Sequence, residues 1–288
     1  MDRYRRLVII LLASTLLGSC GSGGLPEVPD DAKGTAEAVI SNLVENKPGI
    51  LWSALPASYK ADLNDLARST IRVISKDLYD DSVGLLRQAN KILKEKKSFI
   101  LKSSQLGLMA NDLEEVSKNW DAITQWIDIL LDSQLGSFET AKNFDGGVWL
   151  AETGADLMEH MVTISALTSE DPWRNEILPT LKAITVKQIS SSAGKTVLEF
   201  IDAKGQKNTE TFVKVEEKWI PESMQLEWAD MMQNAKAQIP TESDMLPARI
   251  TTRMMIGFAK GVLNQLDAAT SEEEFLKVLE SLGNFDAF

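Results

Sequence analysis

The sequence predicts an α+β fold, predominantly helical, with one small antiparallel sheet of three to four strands late in the chain. Three observations lead there. Apolar residues recur at i, i+3, i+4 and i+7 through most of residues 34–182 and again through 222–288. Between these blocks the period changes: Ile184–Ile189, Thr196–Asp202 and Thr209–Val215 are short and rich in β-branched and aromatic residues. The composition, 44% hydrophobic and 25% charged over 288 residues, is that of a folded chain.

The chain opens on a basic start (Arg3, Arg5, Arg6), an apolar run from Leu7 to Leu17, and then Gly18-Ser19-Cys20. The run is shorter than the roughly 20 residues that cross a bilayer, so residues 1–19 read as a cleaved export signal. Leu17-Gly18-Ser19-Cys20 resembles the lipobox of bacterial lipoproteins, with Leu17 in the large apolar place and Gly18 and Ser19 in the small ones. The resemblance implies diacylglyceryl transfer to the Cys20 thiol, cleavage between Ser19 and Cys20, and N-acylation of the new terminus. Two or more acyl chains hold a protein on a membrane where one gives only marginal binding. Gly21 stands where Asp favours inner-membrane retention in enterobacterial-type lipoproteins, which points to the outer membrane. The alternative is a secretory signal or a membrane anchor that happens to hold a cysteine. Residues 20–33, rich in Gly, Ser, Pro and acids, are expected to form a lipidated flexible tether.

One globular domain is expected from 34 to 288. Ala36, Val39, Ile40, Leu43 and Val44 place a first helix over about 33–45, and Pro48 ends it. Ile50, Leu51, Trp52 and Leu55 make a short second helix. Pro56 opens a third with Tyr59, Leu63, Leu66, Val73 and Ile74 in one stripe. A fourth is predicted over 78–104. Leu113, Val116, Trp120, Ile123, Ile127 and Leu130 then define the central helix of a bundle, with Asn111 as its N-cap. Helices over 148–168 and from Asp171-Pro172 to Lys182 complete the first block. In the meander, 184–220, Lys218-Trp219-Ile220 extends the last strand up to Pro221. Helices over 222–238, 243–266 and 271–282 finish the chain, the last with a Ser271/Glu274 capping box.

The formal charge is −12, and loss of the signal's basic start makes the mature chain more acidic still. Such a surface repels phosphate backbones and anionic headgroups. No nucleic-acid partner is expected, and membrane contact is expected through acylated Cys20 alone. Cys20 is the one cysteine, so the body forms no disulfide.

Leu51-Trp52-Ser53-Ala54-Leu55-Pro56, together with Phe212-Val213-Lys214-Val215-Glu216-Glu217-Lys218-Trp219-Ile220-Pro221, resembles uncharacterised exported proteins of the NTF2-like type. The resemblance implies helices leaning on a curved antiparallel sheet and a conical pocket. It carries over no catalytic residue.

The residues that bear chemistry are few. Gly194-Lys195-Thr196 has the ending of a P-loop, but Ile189 stands where its first glycine belongs and a strand follows instead of a helix. His160 is the single histidine, with Glu152, Asp156 and Glu159 on one side of the same predicted helix. A metal or acid–base site there is weighed against a polar helix face, and the face is preferred. Met158 and His160 suit Cu(I) but point about 160° apart on a helix. Lys94, Lys96 and Lys97 make a basic patch that reads as solvated. No metal or cofactor site is assigned. Six of the ten methionines fall within 224–255, and Met224, Met231, Met232, Met254 and Met255 are taken, with Met245, as an apolar binding surface or as core filling.

Three functions remain. The first is a non-enzymatic envelope lipoprotein that docks a protein partner. The second is a lipid or small-molecule binder with an NTF2-like apolar pocket between sheet and helices, lined by the meander and the Met-rich helices. The third is a hydrolase using carboxylates such as Asp62 and Asp65, or the Glu152 cluster.

Overall fold

The period changes near residue 184 because a sheet begins there. A computed structural model describes residues 24–102, 110–165 and 173–283. It places β1 (Thr185–Ser192), β2 (Lys195–Ile201), β3 (Lys207–Val215) and β4 (Lys218–Pro221) in one antiparallel sheet of order β1-β2-β3-β4. Two of the turns are closed by left-handed residues, Ala193 (φ 48°) with Gly194 (φ 77°), and Glu216 (φ 47°) with Glu217 (φ 63°). In the third, the Asp202 carboxylate accepts from the N–H groups of Lys204 and Gln206, both at 2.8 Å. The Glu216-Glu217 turn corrects one expectation. Lys218-Trp219-Ile220 does not extend β3; two successive left-handed residues reverse the chain, and Ile220 pairs back with Val213.

Ten helices precede the sheet among the described residues: α1 (Ala32–Val44), α2 (Gly49–Ala54), α3 (Ala57–Arg72), α4 (Lys76–Glu95), α5 (Lys97–Lys102), α6 (Ala110–Asp132), α7 (Phe138–Ala141), α8 (Gly146–Glu152), α9 (Gly154–Ser165) and α10 (Leu178–Ala183). Three follow it: α11 (Glu222–Ala237), α12 (Glu242–Ala268) and α13 (Glu272–Gly283). The fold class is therefore the one the sequence predicts. The chain gathers into two compact units, residues up to Thr70 with Asn143–Ile239, and Ile71–Lys142 with the residues from Pro240 on. Each unit is assembled from two distant stretches, so no linker composition marks the division within 34–288.

In the first unit α1 lies on one face of the sheet. Ala32 and Ala36 meet Val186, Leu198 and Phe212, and Ile40, Ile184, Phe200 and Trp219 pack around them. Phe212 and Val213 are neighbours and both buried, so β3 is covered on both faces there. Helix α11 packs along β3 and β4. Tyr59 of α3 stacks on Trp228 of α11 at 3.9 Å between ring centroids, and the Trp228 indole N–H donates to Asp62 at 2.9 Å. The free N-terminus of α3 is capped from the β3–β4 turn, where Glu216 accepts from the Ser58 N–H at 2.9 Å. Those bonds hold the Glu216 carboxyl below its ordinary range. At α8, Asp145 caps the N–H groups of Gly147 and Val148, and Asn64 accepts from the Gly146 N–H at 2.8 Å. The Trp52 ring lies directly over the two glycines.

Part of the expected tether is seated on this unit. Val28 packs against Leu43, Ile50, Leu51 and Leu181. Thr35 donates to the Pro29 carbonyl at 3.0 Å, and the Trp219 indole donates to the Asp30 carbonyl at 3.2 Å. Residues 28–31 are therefore held on the unit and are not a free tether, and Asp31 serves as the N-cap of α1.

In the second unit α4 lies against both α6 and α12. The central helix of this bundle is thus α4, not α6 as its clear periodicity suggested. Asn90 of α4 is buried and donates to the Thr124 carbonyl at 2.9 Å and to Asp128 at 2.7 Å. The Trp120 indole donates to the Leu93 carbonyl at 2.9 Å. Ile92, Leu266, Ala269 and Phe275 form the apolar centre joining α4, α12 and α13. Ala110 and Asn111 are both already helical, so the backbone of Asn111 lies within α6 and not at the position before it. The helix predicted over 78–104 breaks at Lys96, whose ammonium donates to the Ala269 carbonyl at 2.6 Å. The one predicted over 148–168 breaks at Thr153. The expected start at Asp171-Pro172 lies outside the described residues, and a π-helical turn, Trp173–Ile177, leads into α10. Among the described residues no helix is long and apolar enough to cross a membrane.

Candidate docking surface

Helix α12 starts with a capping box in which Thr241 accepts from the Asp244 N–H and Asp244 accepts from the Thr241 N–H at 3.0 Å. Its 27 residues give a rod of about 40 Å. One side faces α4. Ile256 and Leu266 are buried there, and polar clamps flank them: Lys260 with Asp81 at 2.6 Å, Lys91 with Asp267 at 3.0 Å, and Gln88 donating to Asn264 at 2.9 Å. The opposite side is also apolar. Leu246 (56% exposed), Ile250 (66%), Met254 (71%) and Phe258 (54%) fall in one row at i, i+4 spacing, and Met255 (66%) flanks it.

At 100° per residue Gly257 and Gly261 project on the same side as Met254. A methyl group at either would meet open space. Between Leu246 and Gln265 this side carries no charged residue, in a chain of net charge −12. A helix that is apolar on both sides is ordinarily a buried helix. Here the inward side is satisfied by α4, while the outward one faces solvent.

The methionines read as an apolar binding surface or as core filling separate. Met254 and Met255 lie on the exposed side of α12. Met224, Met231 and Met232 belong to α11, in the other unit. Met232 is only 5% exposed because it follows Trp228 by one helical turn and shares its inward side, so it is core and not surface. Met224 and Met245 are half-buried, and Met231 is 38% exposed. The residues that complete the exposed side, Leu246, Ile250, Gly257 and Gly261, fall outside the methionine set, although an i, i+4 apolar row beside Gly-x-x-x-Gly is there to read in the sequence. Ser19 and Cys20 lie outside the described residues.

A groove of about 390 Å³ opens between α1, α10 and β1, lined by Ile40, Val44, Leu181, Ile184 and Val186 with Glu37 and Lys182 at its edge. The meander thus contributes to the lining, but α11 and α12 do not, contrary to the expectation that the Met-rich helices would wall such a pocket. Another, of about 330 Å³, is more polar and holds Ser53, Lys60 and Lys218. Burial first, and the neighbouring Lys218 charge second, pull the Lys60 ammonium below its ordinary pKa.

The remaining sequence candidates have structural surroundings. Glu152 ends α8 while Asp156, Glu159 and His160 sit on α9, so the break at Thr153 divides the set that a single helix would have aligned. The His160 ring is bonded through Nδ1 to the Asp156 carbonyl at 2.7 Å, and Met158 is buried. Burial pushes the Asp156 carboxyl up, opposed by His160. Among the described residues no group of three or more His, Asp or Glu side chains is placed to hold a metal. Gly194 is a hairpin residue and Lys195 pairs with Glu222. Lys94 pairs with Asp128, and Lys97 with Asp121 at 3.6 Å. Asp62 is held by Trp228, whereas Asp65 is exposed. No known protein family, curated protein or solved structure matches the chain.

Proposed function

We propose that this chain is an envelope lipoprotein, held by acylated Cys20 in the outer membrane and facing the periplasm, whose body docks another protein without catalysing a reaction. The observation that carries the docking role is the exposed, uncharged, apolar side of α12. Soluble monomers seldom leave an apolar patch of more than a few hundred Å² in water, and such patches mark interaction sites. An address in the envelope, read from Leu17-Gly18-Ser19-Cys20, restricts the partner to that compartment.

The test places a photoreactive side chain at Met254 of the full-length chain, with Lys204, an exposed turn residue, as control. A discrete protein adduct from Met254, absent from Lys204 and lost when Ile250→Glu is added, supports docking. Equal labelling from both positions overturns it.

The alternative is a binder of a small apolar ligand in the groove under α1, favoured by its apolar lining. A solvatochromic fatty-acid probe whose emission shifts with the full-length chain and reverts in Val44→Asp would transfer the role to that groove. No shift in the wild type leaves α12 as the functional surface.

A further inference from the structure

Resting on that docking reading, we propose that the partner of α12 is the same helix of a second copy of this chain, the two crossing antiparallel so that each glycine notch receives the other's bulky side chain. Three observations on one surface support it.

The first is self-complementarity. A two-fold interface must fit its own image, residue i meeting j and j meeting i. On α12 the large side chains Ile250 and Met254 lie just N-terminal to the notches Gly257 and Gly261. Turning one copy end over end about a point between residues 255 and 256 sets Met254 opposite the partner's Gly257 and Ile250 opposite the partner's Gly261. Both contacts then repeat by symmetry. Ridge enters gap four times along one crossing, the packing that lets helix axes approach to about 8–10 Å.

The second is a cost with no return inside the chain. A glycine in an exposed helix interior is disfavoured by roughly 0.8–1 kcal/mol relative to alanine. Among the described residues nothing lies within 4 Å of where a Cβ on Gly257 or Gly261 would stand, so no packing seen there explains them. Close approach of another backbone does.

The third is area and charge. Leu246, Ile250, Met254 and Phe258 are each more than half exposed, and at roughly 150 Å² for a side chain of this class they present about 400 Å² of apolar surface. That is half of the ~800 Å² per partner found in stable complexes, and a rod of this length has room for a rim that supplies the rest. The chain repels its own copies almost everywhere through its net charge of −12, but not on this side, where charges are absent. Anchoring two copies in one membrane also raises their effective concentration, so a modest interface suffices.

The experiment co-expresses two full-length copies carrying different tags, each with the photoreactive residue at Met254. The expected result is an adduct holding both tags, mapped by mass spectrometry to the segment around Gly257. Gly257→Leu with Gly261→Leu, which fills the notches where the monomer leaves open space, should reduce that adduct by about tenfold or more. Thermal unfolding of this variant should not fall, which separates loss of association from loss of fold. An adduct joining one tagged copy to a different protein overturns the self-association and leaves the docking reading standing. Labelling only of lipid, only of residues 284–288 of the same copy, or of nothing overturns both. A two-tag adduct unaffected by the leucine pair overturns the notched crossing.

Discussion

Replacing Gly147 by alanine should destabilise the first unit, against the usual benefit of that change in a helix. Gly147 is the second residue of α8, and a Cβ there would stand 2.5 Å from the Trp52 indole nitrogen, 2.8 Å from its Cδ1 and 3.2 Å from an Asp145 carboxylate oxygen. Ordinary carbon contacts lie at about 3.5–4.0 Å, so something must move by an ångström. Trp52 is 8% exposed and cannot swing into water. Overpacking of this kind costs roughly 1–3 kcal/mol, offset by about 0.4–1 kcal/mol from lower unfolded-state entropy. The net is a loss of about 1–2 kcal/mol, a fall of roughly 3–6 °C in melting temperature for a unit of this size. Gly84→Ala is the control. It sits exposed in α4 with nothing within 4 Å, and alanine there should add about 0.5–1 kcal/mol. Urea unfolding followed by tryptophan fluorescence reads the effect, because five of the seven tryptophans lie in the first unit. A Gly147→Ala midpoint at or above the wild type would refute the argument that the ring fills the space over α8. Trp52→Leu in the Gly147→Ala background should recover part of the loss, a coupling above about 0.5 kcal/mol between the two sites.

Other outcomes follow from the same geometry. Cys20→Ser should abolish incorporation of labelled palmitate and release the chain from washed membranes, and a Cys20→Ser protein that still carries the label would remove the lipid anchor from the account. Asn90→Ala strips the Thr124 carbonyl and the Asp128 carboxylate of a buried donor and should cost roughly 1–3 kcal/mol in the second unit, seen by circular dichroism in urea. Lys60 has its folded pKa lowered, so its charge opposes folding at neutral pH and the penalty fades as pH rises through that value toward the unfolded one near 10.5. Lys60→Met should therefore raise the melting temperature at pH 7 and lose that advantage in alkali. An advantage that persists unchanged at pH 11 would assign the gain to packing instead of charge.

Local pattern determined most of the fold class. Helical spacing around Leu43, Trp52, Trp120 and Leu266, and the switch to β-branched strands at 184, depend on which side of an element is apolar, and that is written within ten or twenty neighbouring residues. The same is true of the turn at Gly194 and of Ser271 at the start of the last helix, whereas the caps at Asp145 and Thr241 emerged only in the structure. The division into two units was not legible, because it depends on contacts between stretches separated by roughly seventy to a hundred residues of intervening chain. Nor was the left-handed pair Glu216-Glu217, since glutamate carries no signal for that conformation. The methionines divide between surface and core for a related reason. Six methionines within 224–255 are a fact of composition, whereas burial is decided by what covers each side. Trp228 draws Met232 inward on α11, while α4 covers one side of α12 and leaves Met254 outside. Periodicity shows that a helix has an apolar side; only packing shows how many such sides are already taken.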